Sequence, residues 1–171
     1  NTLTEYGIIS KLLHWLSAIL LLVQIPLGFY LVDLDFGEAR LNVENIHIII
    51  GLSIFYLVII RLLNNIFNPT PKLDPSVFSG QKFIAKLNHV LLYVAILSIT
   101  ISGILKKLFN GETLVIFFKE IEIQDNFELA DQFYNIHIFS NYMIVALIAL
   151  HISAVIIHKL FFSENLLKKI L

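Results

Sequence analysis

The chain has no cysteine and few charged residues, and each shortage excludes a kind of protein. Without cysteine, neither a disulfide nor a thiolate metal ligand nor an iron–sulfur cluster is available. Charged residues make up 15% of the 171 residues, against roughly 25% in soluble domains, and the net charge is −1. We find no glycine-rich phosphate loop and no basic run suited to nucleic acid. A soluble domain and a nucleic-acid partner are therefore not expected.

Apolar sequence is what the chain has in abundance. Hydrophobic residues make up 57% of it, and the mean hydropathy is +0.82. Four apolar segments, at about 8–32, 43–66, 83–108 and 134–162, are each long enough to cross a bilayer, which needs about 20 residues. The first is also longer than the roughly 7–15 apolar residues of a signal peptide. We predict an all-α integral membrane protein, a single domain built as a four-helix bundle.

The charged residues are distributed unequally among the predicted connections. The two termini and the connection between the second and third segments carry eight basic residues, namely Lys11, Arg61, Lys72, Lys82, Lys86, Lys159, Lys168 and Lys169. The other two connections carry four basic and ten acidic residues. By the positive-inside rule, both termini and the middle connection are expected in the cytoplasm.

The connection between the third and fourth segments is long and mixed in composition. The sequence FNGE, at Phe109 to Glu112, ends the third segment and places Gly111 where a helix C-cap is expected. For residues 112–133 we expect a short helix or a loop lying on the outer surface.

Histidines within the apolar segments are the most informative residues. His137 and His151 share the fourth segment, and their spacing of fourteen residues puts both rings on nearly the same helix face, about 21 Å apart along the axis. Because the hydrocarbon core is about 30 Å thick, one histidine lies near each side. His14 and His47, on two other segments, are candidate partners. Paired imidazoles at two depths of a helical bundle are what two bis-histidine haems require.

Histidines in apolar segments can also serve helix packing, zinc binding or proton transfer. A lone histidine in a span more often makes a helix-packing hydrogen bond, but the chain has six, and ionisable groups in lipid are costly. Zinc favours three or four close ligands, whereas these histidines are dispersed over four segments without an HxxH or HExxH grouping. A transporter or scaffold that uses the histidines for protons remains an alternative.

Short motifs in a fixed order give the chain a family resemblance. The motifs are Tyr6, Leu13-His14-Trp15, Asn45-Ile46-His47 with Gly51, Arg61, Pro69-Thr70-Pro71, Asn88-His89, His137 with Asn141, Leu150-His151, His158 and Leu166-Leu167. With these motifs in this order, the chain is similar along nearly its whole length to the bacterial diheme cytochrome b561 family, and most like the short four-helix members that are superoxide:ubiquinone oxidoreductases. The resemblance implies a multi-pass protein of the bacterial inner membrane.

The family's ligand pattern, carried over residue by residue, implies two haem b groups. His47 and His137 match the axial ligands of an outer haem, and His14 and His151 match those of an inner haem. Depth alone also supports the outer pair, since both residues lie near the outer ends of their helices. At the inner level, depth leaves His14, His89, His151 and His158 all open.

Two further residues are expected to support the haems. Gly51, one turn after His47, would let a porphyrin approach the backbone, although ordinary small-residue helix packing explains it equally well. Arg61, fourteen residues after His47, falls at the inner level, where it is expected as a counter-ion to haem propionates or as a snorkelling residue at the membrane edge.

The resemblance also implies a ubiquinone site near the inner haem. His158 and His89 are expected there, because histidine can hydrogen-bond a quinone carbonyl and deliver a proton. Lys159, Lys168 and Lys169 are close enough in sequence to help, or they contact lipid headgroups.

The implied function is electron transfer from a periplasmic donor through two haems to ubiquinone. If the donor is superoxide, the ten acidic residues of the outer connections oppose it at long range. A local positive funnel at the haem would have to come from Arg40, Lys106, Lys107 and Lys119. The alternative is a cytochrome b membrane anchor of a periplasmic dehydrogenase or hydrogenase, whose acidic outer loops suit a basic redox partner.

Overall fold

Four long helices make up most of the molecule. The computed structural model describes residues 1–2, 4–71, 79–161 and 170. Each helix is long and apolar enough to cross a membrane, which confirms the predicted all-α membrane bundle. Lys72, Lys168, Lys169 and the Leu166-Leu167 motif lie outside the described residues. The elements are α1 (Ile8–Asp33), α2 (Glu38–Phe67), α3 (Ser79–Phe109), β1 (Leu114–Ile116), β2 (Lys119–Ile121) and α4 (Phe127–Phe161).

The end of α3 is capped as its sequence predicts. The helix ends at Phe109, and Gly111 takes a φ of +79°, in the left-handed region that favours glycine. The Gly111 N–H donates to the Leu108 carbonyl at 3.0 Å, and the Glu112 N–H donates to the Lys107 carbonyl at 3.2 Å. This pair of bonds is a Schellman cap, in which carbonyls of the last helical turn accept from the residues that follow the helix.

A seven-residue repeat on every helix stacks the interior of the bundle in three layers. Seven residues are nearly two helical turns, so the members of each repeat share a face. The outer layer contains Gly28, His47, Gly103 and His137, the middle layer Leu21, Ile54, Ile96 and Ile144, and the inner layer His14, Arg61, His89 and His151.

The middle layer is the hydrophobic core, and it separates the two polar layers. Ile54 and Ile144 are almost fully buried and pack with Leu21 and Ile96. Because lipid tails are as apolar as these side chains, close packing rather than removal from water is what these residues contribute to the bundle. Ile144 lies seven residues after His137 and seven before His151. The core therefore holds the two histidine layers apart at a fixed spacing.

Residues 112–133 fold differently from the expected short helix or loop. They form an antiparallel hairpin in which Leu114 lies opposite Ile121, and α4 begins afterwards at Phe127. Leu114 and Ile116 alternate with an exposed residue and are buried against α2 and α3, where Leu52 is among their contacts. Because alternate positions of a strand point to one face, this short apolar run can cover a helix pair.

Candidate functional site

His47 of α2 and His137 of α4 face each other in the outer layer. Their ring centroids are 6.1 Å apart, and the ring planes are inclined at 69°. A metal ion between two imidazoles needs about 2 Å for each metal–nitrogen bond and about 1 Å from each nitrogen to its ring centre, about 6 Å in all. The two rings therefore stand at the separation that two axial ligands of one iron require.

The hydrogen bond of His137 determines which of its nitrogens is available. Nδ1 lies 2.7 Å from the Ile99 carbonyl oxygen of α3. A carbonyl oxygen can only accept, so Nδ1 carries the proton and Nε2 keeps its lone pair. This is the ring state and the backbone partner that a metal-ligating histidine ordinarily has. The α3 backbone thus holds His137 ready to ligate.

Glycines on the two remaining helices make room for these rings. A Cβ added to Gly103 of α3 would lie 3.0 Å from Cε1 of His137, and one added to Gly28 of α1 would lie 3.2 Å from Cε1 of His47. Any larger residue would push the rings out of place. The sequence prediction missed both glycines. Their signal was spacing, since they follow His14 and His89 by fourteen residues.

Gly51 lies one helical turn after His47 on α2, between the outer and middle layers, and it makes room for a side chain. A Cβ there would lie 3.2 Å from Nε2 of Gln24, and that Nε2 donates to the His47 carbonyl oxygen at 2.8 Å. The bond ties α1 to α2 beside the His47 ring. Close approach of a porphyrin to Gly51 stays a prediction.

The outer histidines and glycines line a cavity of about 490 Å³. Its size falls in the range of about 300–1,000 Å³ that small-molecule and cofactor sites occupy. Its inner end is closed by Ile54 and Ile144, and Asn141, which the sequence motif couples to His137, is also part of its wall. Two facing imidazoles, glycines that expose the backbone and a largely apolar wall would fit a haem group.

Three of the four basic residues expected to form a positive funnel line the outer end of this cavity. Lys107 is neutralised there, since its Nζ donates to Glu44 at 3.0 Å and is also paired with Glu112. Lys106 is 3.9 Å from Glu44 and more exposed. Among the described residues lining the cavity, the basic ones are Arg40, Lys106 and Lys107, without Lys119.

Three histidines converge in the inner layer. The His151 ring centroid lies 6.4 Å from that of His14 and 5.1 Å from that of His89. Two axial ligands of one iron need about 6 Å, as at the outer pair. The His14–His151 separation meets this requirement, whereas the His89 ring is too close to His151.

Arg61 of α2 contacts the His14 ring directly, with Nη2 2.7 Å from Nδ1. A guanidinium can only donate, so Nδ1 accepts and the ring proton of neutral His14 lies on Nε2. Ligation of iron through Nε2 needs the opposite tautomer, and therefore a different partner at Nδ1. Arg61 also lies 5.6 Å from the Tyr93 ring centroid, which places it inside the bundle.

The residues expected around a quinone lie at the same end of the bundle. Nδ1 of His89 donates to the Ala85 carbonyl of its own helix at 2.7 Å, which leaves Nε2 able to accept. His158 is half-buried, seven residues beyond His151, and the adjacent Lys159 is exposed. Lys168, expected to assist, lies outside the described residues.

Aromatic residues close the inner layer from the side of the chain termini. The Trp15 ring stands edge-on to His14 with centroids 5.4 Å apart, and its Nε1–H donates to the Ile170 carbonyl at 3.0 Å.

Tyr6 precedes α1. Burial and the nearby Tyr93 raise the pKa of the Tyr6 phenol, against the opposing charge of Arg61. Tyr6 is therefore a neutral hydrogen-bond donor at physiological pH.

Comparison with known proteins adds a family and two relatives. Residues 5–171 match the family model described as prokaryotic cytochrome b561. The chain is 31% identical over 118 residues to cytochrome b561 homolog 2 of Escherichia coli (strain K12), a match covering 68% of this chain and 63% of that protein. It is 26% identical over 172 residues to the probable superoxide oxidase CybB of Yersinia pestis, covering 98% of this chain and 96% of that one.

Proposed function

Because this chain belongs to the prokaryotic cytochrome b561 family, we propose that it carries two haem b groups and passes electrons from superoxide, on its outer side, to ubiquinone. The observation that carries the proposal is the presence of two imidazole pairs, 6.1 Å and 6.4 Å between centroids, in layers fourteen residues apart. The nearly full-length similarity to a probable superoxide oxidase supports the donor.

Family membership establishes the coarser activity. The protein is a multi-pass bacterial membrane cytochrome of b type, and it acts in electron transfer. The family works with quinones and redox partners. When bound, haem b supplies a one-electron carrier, while the protein determines its position, its potential and its access to solvent.

In the proposed assignment, each of the two histidine layers, outer and inner, holds one haem. His47 and His137 would be the axial ligands in the outer layer, and His14 and His151 those in the inner layer. The centroid separations support both pairs, and the Ile99 hydrogen bond supports the required tautomer of His137. Ligation by His14 would free Arg61, whose guanidinium would then be available to a haem propionate.

Superoxide would approach through the outer cavity. Lys106 and Arg40 are the basic residues of its mouth that Glu112 does not bind, and they supply attraction at short range. Lys107 contributes less, because two carboxylates already offset its charge. The residues of the chain thus position the donor, and no covalent catalysis is needed.

Ubiquinone would bind at the opposite end. His158 and His89 are the residues proposed to contact its carbonyls. Because the Nδ1–H of His89 is bound to the Ala85 carbonyl, His89 would donate to the quinone only with Nε2 also protonated, and imidazolium is the form that can deliver a proton as the quinone is reduced. Lys159, beside His158, would stabilise negative charge that develops there.

The second candidate is an anchor subunit for a periplasmic dehydrogenase or hydrogenase. The ten acidic residues of the outer connections favour it, because they complement a basic redox protein better than they attract an anion. The same four histidines would then hold the haems.

Reduction by superoxide of the protein purified alone into lipid nanodiscs tests the proposal. Superoxide should reduce the haems within its own lifetime, superoxide dismutase should abolish the signal, and added ubiquinone should reoxidise them. His137→Ala is the matched variant that should lose the response. Haems that dithionite reduces but superoxide does not would reject the proposed donor and favour the anchor subunit, which should then co-purify with a partner.

A further inference from the structure

The turn of the β1–β2 hairpin consists of two phenylalanines in a conformation that phenylalanine avoids. Phe117 and Phe118 have φ values of 49° and 62°. Two-residue hairpin turns of this kind normally use asparagine, aspartate and glycine, because a side chain in the left-handed region costs about 1–2 kcal/mol. Phe118 is nonetheless fully exposed, and Phe117 is 61% exposed. Packing within the protein therefore does not account for the Phe118 ring, and it covers less than half of Phe117.

A hydrogen bond fixes the depth of this turn. The Phe117 N–H donates to the hydroxyl of Tyr56 on α2 at 3.0 Å, and the two rings meet edge to face at 5.1 Å. Tyr56 follows His47 by nine residues, which is roughly 13 Å along the helix. Its side chain leans back by about one turn, or about 5 Å, so the turn lies roughly 8 Å deeper than His47. The turn of the hairpin therefore lies beside the membrane-spanning part of α2.

The strand residues above the turn change from apolar to charged over a short distance. Lys119 lies opposite Ile116, and Glu120 lies opposite the exposed Val115. At about 3.4 Å per residue, Glu120 stands roughly 7 Å above the turn. Apolar elements at a membrane interface penetrate by about 5–10 Å, and a lysine next to them can extend its ammonium towards the headgroups.

We propose that Phe117 and Phe118 insert into the acyl chains of the outer leaflet. Lipid cannot pair a backbone N–H, and Tyr56 supplies the partner that the Phe117 N–H needs at that depth. Leu114, at the start of the same hairpin, lines the outer cavity. The inserted turn thereby fixes one wall of that cavity at the lipid boundary. The inference depends on the membrane spans alone, and neither the haem assignment nor the donor bears on it.

The absence of cysteine makes the depth of the turn directly measurable, because one introduced thiol can be labelled without background. Phe118→Cys, carrying a nitroxide, is reconstituted into phosphatidylcholine vesicles. Its collision rates with dissolved oxygen, which partitions into lipid, and with a water-soluble nickel chelate are then compared. Ile49→Cys, at a 65% exposed position of α2, is the lipid-facing control. Asp35→Cys, exposed between α1 and α2, is the aqueous control.

The label at position 118 should show the same pattern of collision rates as the label at position 49, with a higher rate for oxygen than for the water-soluble nickel chelate. A label that instead behaves like the one at position 35 places the turn in water and overturns the proposal, leaving the aromatic pair free for a soluble partner. Should Phe118→Cys fail to assemble, Phe118→Trp in a Trp15→Phe background gives the same decision. Quenching of its emission by brominated lipid would support insertion. Quenching by aqueous iodide would show that the turn lies in water.

Discussion

Gly103 of α3 packs its backbone directly against the ring of His137, leaving 3.0 Å between the position of a Cβ and the Cε1 atom. One turn earlier, the Ile99 carbonyl accepts the proton of the same ring. A single turn of α3 thus sets both the position and the tautomer of His137. At the inner layer, the ring of His14 is held by the side chain of Arg61, which can move.

Gly103→Ala should weaken haem binding in the outer layer. The added methyl cannot fit beside Cε1 of His137, and overpacking of this kind costs about 1–3 kcal/mol, or roughly a 5- to 150-fold loss of affinity. Haem per protein after dialysis against apomyoglobin measures the loss. Gly37→Ala is the matched control, since no atom lies within 4 Å of its added Cβ. Equal losses in both variants would show that the close contact has no role.

His137→Ala should remove the outer haem and leave the inner one. The haem content, measured as pyridine haemochromogen per protein, should fall to about half of the two bound groups expected for one bis-histidine pair in the outer layer and one in the inner layer. His158→Ala should retain both. Full haem content in His137→Ala would refute the pairing of His47 with His137.

His14→Ala and His89→Ala distinguish the ligands of the inner haem. The centroid separation of 6.4 Å predicts that His14 is the partner of His151, so only the first variant should lose the inner haem. Low-temperature absorption and electron paramagnetic resonance resolve the two haems. Loss in His89→Ala, with retention in His14→Ala, would reverse the assignment.

Arg61→Met should lower the reduction potential of the inner haem. A positive charge stabilises an added electron, so its removal favours the oxidised form, by an amount on the order of 60 mV for a tenfold change in a one-electron equilibrium. Arg61 and His47 are fourteen residues apart, roughly 21 Å, so the outer haem serves as the internal reference in the same redox titration. Equal shifts of both potentials would exclude a local effect.

The reduction rate with superoxide should fall as salt is added. The proposed attraction of superoxide to Lys106 and Arg40 at the cavity mouth is screened over about 8 Å near physiological ionic strength. Lys106→Gln should slow the reaction more than Lys107→Gln, because Glu44 and Glu112 already offset the charge of Lys107. Stopped-flow traces at several salt concentrations give both comparisons. A rate that climbs with salt would mean that the acidic connections dominate the approach.

The helices and the histidine layers could be predicted because each rests on information local to one segment. A long apolar run predicts a membrane span without reference to the rest of the chain. A spacing of fourteen residues places two side chains on the same helix face, whatever the helix packs against. His137 and His151 were placed by that spacing alone. The cap at Gly111 is equally local, since FNGE contains the residue that the left-handed position requires.

The features that escaped prediction depend on neighbours or break a local rule. Gly28 and Gly103 matter because of the rings beside them, and spacing on one helix does not show which rings those are. The Arg61–His14 contact depends in the same way on how α1 and α2 are rotated. The hairpin was missed because its turn residues, Phe117 and Phe118, contradict ordinary turn chemistry.

The seven-residue repeat also limits how the length of the chain can change. One residue inserted between Ile144 and His151 would turn His151 by about 100° and move it by about 1.5 Å, out of the interior, while His137 stayed in place. Seven inserted residues would return His151 to the interior face of α4. If α1 kept its length, however, His151 would lie roughly 10 Å past the level of His14 along the bundle axis. Insertions and deletions in this segment are therefore tolerated only if all four helices change together. The lengths of the four helices between the two histidine layers are thus expected to evolve jointly.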